Sequence, residues 1–316
     1  TGYEGSTAGT TWNGKVSCEQ SSILAVTLDS TDTTTAASPS TVYLNYMDGW
    51  YSDSNATTEI TAITTLPTKT NSIFGGYYTE QNCSGTQVID SNGNFVTTAP
   101  SLTTATIYPC FADTKFSLTT TNYTSTGGAF QFSLSATGTF YVDCGADGTL
   151  SGTGVDGKTI TRTDTTAATY TCTYSSTGAK TIGFGGTATG YNTDISTAAI
   201  SFYNLGASKI ASISGNLSSM FPYISGNTAS GAQPRFYRTF SVATNLAEIP
   251  DTLFASYTTG ATYMFSYTFA NCTGLTSIPG NLFSGITTGA SSMFSSTFYG
   301  CTGLTSIPGN LFSGIT

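Results

Sequence analysis

The sequence predicts a mainly β chain that ends in an α/β repeat solenoid, and three observations carry that prediction. Charged residues make up only 8% of the chain, with Thr, Ser and Gly in their place and 19 Tyr and 19 Phe as bulk. Such a mixture favours strands over helices. Several short runs alternate apolar with polar residues, the period of a half-buried strand. From residue 235 the chain falls into a 29-residue register with itself, and TGLTSIPGNLFSGIT at 273–287 returns letter for letter at 302–316. At 316 residues, two or three domains are expected, each with its own core.

The same composition narrows the chemistry. The chain has no histidine, which removes Ser-His-Asp and Cys-His catalysis, imidazole metal sites and the usual proton shuttle. Its Asp and Glu residues stand singly in turn contexts such as Asp48-Gly49, Asp147-Gly148 and Asp156-Gly157, where a carboxylate commonly serves the turn. The net charge of −8 reflects few Lys and Arg rather than acidic runs, and no stretch is basic enough to bind a nucleic-acid backbone. No apolar run is long enough to form a transmembrane segment, and the first residues lack the pattern of a signal peptide. Without Met at position 1, the chain is expected to be a processed form or an excerpt. Seven cysteines in so polar a chain point to an oxidising compartment, hence to an extracellular or cell-surface location.

Residues 1–22, containing Cys18, read as an extended N-terminal segment whose polar Gly/Thr-rich start, 1–14, is free to add as a strand to a neighbour. Within it SCEQ at 17–20 has the Cys and Gln of an internal thioester but lacks the Gly expected between Cys and Glu. The run ILAVTLD at 23–29 reads as a strand and the polar stretch at 30–40 as a loop. Farther on come Leu66, Pro67, Thr68, Lys69 and Thr70, then Phe74, Gly75, Gly76, Tyr77, Tyr78 and Thr79, then a closing strand from Ile107 to Phe111. Together these resemble the Listeria-Bacteroides repeat, also called the internalin B repeat, over about residues 23–112. The departures, at Tyr78 in the Trp-Tyr order and at Phe111 in place of a closing Trp, keep aromatic rings. The resemblance implies a β-grasp module used as a spacer or contact domain, with no catalytic residues. Cys83 and Cys110, 27 positions apart, are candidates for a disulfide, the alternative being two buried thiols.

The next segment, 113–199, alternates at Phe130, Phe132 and Leu134 and again at Phe140 and Val142, which predicts strands. Val142, Asp143, Gly145, Asp147 and Gly148, followed later by Tyr174, Gly178, Thr181 and Ile182, resemble the two marks of a polycystic-kidney-disease (PKD)-type β-sandwich. Cys144 stands where that family has Trp and Cys172 where it has His, and this double departure implies a Cys144–Cys172 disulfide. The acidic, Gly-rich stretch 143–157 offers Asp143, Asp147 and Asp156 to calcium, but without the helix-loop-helix spacing. The run IGFGGTATG at 182–190 lacks the Lys-Ser/Thr of a phosphate loop and reads as strand and turn.

From 200 to 316 the repeat takes over. An early copy is marked by Ile210, Ile213 and Leu217, and the loop 222–234 shifts its register. The repeating positions Phe236, Phe265 and Phe294, then Phe240, Phe269 and Phe298, then Ile249, Ile278 and Ile307, with Leu275 and Leu304, are the predicted repeat core. Within one unit Met293, Phe294 and Phe298 read as one helical face, Leu304 and Ile307 as a short strand, and Leu311, Phe312 and Ile315 as a second turn after Pro308. Each edge is too thin to bury alone, and stacking identical units solves this. The pattern resembles the BspA-like bacterial leucine-rich repeats of surface proteins. In such a ladder Cys272 and Cys301 read as buried unpaired thiols, and Cys18 as the leftover of an odd count. Leu311, Phe312 and Ile315 supply no polar cap, so either further repeats follow or something else covers them, which makes them a candidate assembly face.

After Asp251 no charged side chain occurs, so this surface is free of the charges that discourage association. With the three resemblances, this leads to the expectation of a non-enzymatic secreted or cell-surface adhesion or structural protein that presents the repeats to a host or cell-surface protein or glycan. The alternative is a self-assembling subunit of an extracellular filament or surface layer, with head-to-tail contacts through the uncapped end. No cofactor or metal, and no nucleic-acid partner, is expected.

Overall fold

The computed structural model describes residues 23–46, 48–96, 102, 104–225 and 233–316. The N-terminal segment 1–22, with Cys18, lies outside the described residues. The chain is mainly β. Strands β1 (Ile23–Leu28), β2 (Thr41–Asn45) and β3 (Gly49–Tyr51) form an antiparallel meander. Strands β4 (Ser72–Glu80) and β5 (Ser84–Ile89) form a hairpin. Between these two groups runs β6 (Thr106–Thr120), whose first half pairs parallel with β1 and antiparallel with β4. Alternation along β1 sends Val26 and Leu28 inward, where they join Val42, Leu44, Phe74, Tyr77, Ile89 and Ile107. Trp50 stacks on Phe95 with ring centroids 4.6 Å apart and closes this core.

The second half of β6 belongs to a different layer. There it pairs with β13 (Thr181–Tyr191) on one side and β15 (Ile210–Gly215) on the other. The sheet continues from β13 through β8 (Ala136–Asp143) and β11 (Thr159–Arg162) to β10 (Val155–Asp156). Facing it is a second sheet of β14 (Ile200–Ser201), β7 (Ala129–Leu134), β12 (Ala168–Tyr174) and β9 (Gly148–Ser151). Alternation in β7 aims Phe130, Phe132 and Leu134 at Phe140, Val142 and Phe184 of the first sheet. Phe132 meets Phe184 edge to face at 5.2 Å, a favoured aromatic geometry. The expected division at 112/113 therefore falls inside a single 15-residue strand. One backbone shares its hydrogen bonds between both units, so no linker separates them.

The C-terminal stack departs from the predicted α/β character. The described residues there hold a three-residue 3-10 helix (Ala207–Lys209) and one four-residue α-helix, α1 (Leu217–Met220), and beyond it the coils are built from turns. The N–H groups of Phe236, Arg238, Phe240 and Val242 donate to the carbonyls of Met264, Ser266, Thr268 and Ala270 on the next coil. Those of Phe265, Tyr267, Phe269 and Asn271 repeat this one coil later, onto Met293, Ser295, Thr297 and Tyr299. The intervening amides of Thr239, Ser241 and Ala243 fold back three residues, making successive β-turns. Every fourth residue, as at Tyr263, Tyr267 and Asn271, then takes a positive φ near +56 to +59°. A helix is excluded because its amides would all be spent four residues back, leaving none for the neighbouring coil.

The four-residue Phe spacing thus marks turns, and the rings stack between coils. Phe240 and Phe269 lie 5.4 Å apart at 5°, and Phe269 and Phe298 lie 5.6 Å apart at 3°. Phe236, Phe265 and Phe294 make a second ladder at 5.9 and 5.5 Å. At the corner of each coil a side chain on Gly274 would collide with the Thr244 carbonyl, and one on Gly303 would press on the Leu275 carbonyl, so the repeat keeps glycine there. Phe202 stacks on Phe240 at 5.4 Å, and one continuous core runs from Phe116 in the sandwich to Leu311 in the stack.

The predicted repeat core holds through two coils and changes in the last. Ile249 and Ile278 are 5% and 6% exposed, whereas Ile307 is 52% exposed. Leu275 is buried, while Phe294, Phe298 and Leu304 are only half-buried. The physical reason is one-sided stacking, because in the described structure no coil lies on their far side. Phe269→Ala, which removes a ring from the middle of a ladder, is expected to cost about 3 to 5 kcal/mol. Phe312→Ala on the outer face should cost less than half as much, both read from urea unfolding.

Candidate functional site

The carboxylates are committed locally. Asp53 accepts from the amides of Asn55, Thr57 and Thr58, Asp90 from those of Asn92 and Asn94, and Asp194 from that of Ser196. The three Asp of the acidic stretch take different partners. Asp143 pairs with Lys158 at 3.2 Å and accepts from the Gly145 amide, Asp147 holds Lys180 at 2.6 Å, and Asp156 stands on β10. Among the described residues no group of three or more Asp, Glu or Cys is arranged to hold a metal ion.

Asp147 is the centre of a polar cluster in the sandwich. The Lys180 ammonium, almost fully covered, donates to Asp147, to the Ser176 hydroxyl and to the Thr177 carbonyl, and lies over the Tyr174 ring at 5.1 Å. Hydrogen bonds from Lys180 and Ser176 hold the Asp147 carboxyl down at about 2. All of the ammonium's protons are satisfied, so the cluster works as a clasp between the β8–β9 turn, which carries Asp147, and the β12–β13 turn.

Both candidate disulfides are present. Cys83–Cys110 ties the β4–β5 turn to β6, and Cys144–Cys172 crosses from the end of β8 to β12 and joins the two sheets of the sandwich. Cys272 and Cys301 are buried free thiols one coil apart, donating to the carbonyls of Phe240 at 3.2 Å and Phe269 at 3.0 Å. The adjacent Cys301 thiol and burial push the Cys272 thiol up, away from the reactive thiolate. A parallel ladder of threonine hydroxyls does the same work: Thr239, Thr268 and Thr297 donate to the carbonyls of Ile200, Phe236 and Phe265.

The candidate assembly face is only partly available. Leu311 is 1% exposed beneath the last coil, Ile315 is half-buried, and Phe312 alone of the three is largely open, at 42%. The opposite end of the stack is not open at all. There β15 pairs with β6, and Phe202 and Phe221 cover Phe240 and Phe236.

Two further features come from the tertiary structure. A cavity of 460 Å³ lies where the N-terminal unit meets the sandwich, lined by Leu66, Pro67, Phe74 and Asn92 on one side and Asp143 and Lys158 on the other. On the outside of the stack Arg238 sits among three tyrosines, its guanidinium 5.1 Å from the Tyr203 ring and 5.3 Å from those of Tyr237 and Tyr267. It donates to the Tyr203 hydroxyl at 3.3 Å. The signal for this cluster was readable: Arg238 is the last cation in the chain, and Tyr267 follows it by one 29-residue period. Comparison with protein-family models, with curated proteins and with solved structures gives no match.

The Asp147 pair sets a pH dependence. Its folded value lies below the ordinary 3.8, so the stabilisation is complete above the unfolded value and is lost as pH falls through about 2. A carboxyl-carbon NMR titration should place the Asp147 midpoint near 2, and Asp147→Asn should shift acid unfolding to higher pH. Peptide mapping without reduction should recover Cys83–Cys110 and Cys144–Cys172. Removing the second pair through Cys144→Ser with Cys172→Ser should cost about 3 to 4 kcal/mol, the chain-entropy value for a loop of this length, in chemical denaturation.

Proposed function

We propose that the chain is a non-enzymatic secreted or cell-surface protein of adhesive or structural type, in which a β-grasp-like module and a PKD-like sandwich carry a stack of BspA-like repeats. The observation that carries this reading is the surface of the stack. Residues 252–316 have no charged side chain, and their hydrogen-bonding backbone is consumed coil to coil, which leaves hydroxyls and aromatic rings facing outward. Such a surface binds by stacking and hydroxyl contacts rather than by catalysis. The carboxylates support the same conclusion, since they serve turns and ion pairs rather than a paired acid and base. Two disulfides fit an oxidising, extracellular setting, and no helix among the described residues is long and apolar enough to cross a membrane.

Assembly into a filament or layer is the weaker reading. The uncapped end would meet a different surface of the next copy head to tail, and because the sandwich covers the first coil that surface would not be the other end of the stack. The test is a concentration series in negative-stain electron microscopy and light scattering, alongside binding of the labelled protein to cell surfaces and immobilised glycans. Monodisperse particles with saturable surface binding are the expected result. Ordered fibres or sheets would replace the adhesive reading with assembly.

A further inference from the structure

We propose that Arg238 and the tyrosines around it form a binding site for an acidic saccharide, the carboxylate of a sugar acid docking on the guanidinium while its ring stacks on tyrosine. The inference rests on the adhesive reading and names the ligand class of that surface. Three observations converge. The Arg238 side chain makes one hydrogen bond, to the Tyr203 hydroxyl, and among the described residues no carboxylate forms an ion pair with it. Lys69, Lys158, Arg162 and Lys180 have acidic partners, and Lys115, which has none, spends its ammonium on the Thr187 hydroxyl and the Ser219 carbonyl. The half-exposed guanidinium of Arg238, bonded at one nitrogen, keeps donors for a carboxylate.

The second observation is its rigidity. Rings on three sides at 5.1 to 5.3 Å, with Tyr237 and Tyr267 meeting edge to face at 6.0 Å, hold the planar fork in place. Less side-chain entropy is then lost when the fork closes on a carboxylate, and Arg suits such two-point recognition better than Lys. The third is the chemistry of the surroundings. The hydroxyls of Tyr237 and Tyr267 have no hydrogen-bond partner among the described residues, and the equivalent positions one and two coils on are Ser266, Ser295 and Ser296. Tyrosine faces with free hydroxyls fit a polyhydroxylated ring. Of the described large apolar side chains, only Tyr46, Ile195, Tyr223, Tyr299, Ile307 and Phe312 are exposed, and none of them belongs to this cluster, so the apolar centre typical of a protein partner is missing here.

The backbone at Arg238 has φ +56°, a conformation that Asn tolerates, so Arg238→Asn removes the guanidinium without new strain. The experiment is isothermal titration calorimetry of the full chain with a glucuronate-containing hexasaccharide, a neutral glucose hexasaccharide and a sulfated hexasaccharide, with a thermal melt to verify each variant. The expected result is binding of the uronate ligand that weakens with salt, at least tenfold weaker binding in Arg238→Asn, an intermediate loss in Arg238→Lys, and at least tenfold weaker binding of the neutral sugar by the native chain. A sulfated sugar bound as well as the uronate, and equally dependent on Arg238, would support an anionic saccharide with either acid group. Equal binding by native chain and Arg238→Asn, equal affinity for neutral and acidic sugars, or no binding at millimolar ligand would each overturn the inference. If the labelled protein still binds cell surfaces in any of those cases, the adhesive reading stands and only its ligand class falls.

Discussion

Along the Phe-bearing runs 236–242 and 265–271 of the stack, every second amide is satisfied only by the coil beside it. The N–H groups of Phe236, Arg238, Phe240 and Val242 have their acceptors one repeat later, and those of Phe265, Tyr267, Phe269 and Asn271 likewise. An unpaired buried amide costs on the order of 1 to 3 kcal/mol, so the coils hold together as a set rather than singly. The remaining features of the region follow. Alternate amides must fold back into turns, each run of turns needs a left-handed residue at every fourth position, and the corners admit only glycine where coils touch. Phenylalanines at the same four-residue spacing then lie above one another within 10° of parallel.

The stack in turn needs a foundation, and β6 connects it to the rest of the chain. One half of that strand organises the N-terminal sheet, and the other pairs with β13 and β15. Because β15 opens the repeat region, the first coil is laid directly on the sandwich, with Phe116, Phe202 and Phe240 in contact. A repeat array usually requires a cap at its ends, and here the sandwich fills that role for the first coil. This arrangement also makes the stack directional, because one end is built into the molecule.

Charge is used sparingly and for position. Asp147 with Lys180, Asp143 with Lys158 and Arg162 with Asp164 stiffen turns of the sandwich, while Arg238 is held by aromatic rings instead of by an acid. Among the described residues Lys115 and Lys209 likewise have no ion pair and are held by the Thr187 hydroxyl with the Ser219 carbonyl and by the Tyr123 ring.

Much of this was legible in the sequence. The 29-residue period identified Phe236, Phe265 and Phe294 as stacked equivalents, alternation identified Phe130, Phe132 and Leu134 as one strand face, and the odd residues Cys144 and Cys172 in an otherwise PKD-like pattern pointed to the pair that the structure joins. Periodicity reports which side chains share a face, and those side chains are determined locally. It does not report where backbone amides find acceptors. The spacing of Phe265 and Phe269 suits a helix as well as a string of turns, and only the neighbouring coil, by taking alternate amides, decided for turns. β6 runs across the 112/113 boundary for a related reason: it reads as the end of one pattern and the start of another, and only its two sets of partners make it a single strand. Arg238 looked like an isolated cation until the tertiary structure brought Tyr203, Tyr237 and Tyr267 around it. Local sequence determined the period, the strands and the cysteine candidates, while contacts between coils and sheets decided the backbone conformation, the shared strand and the clustering of tyrosines around Arg238, because those depend on partners remote along the chain.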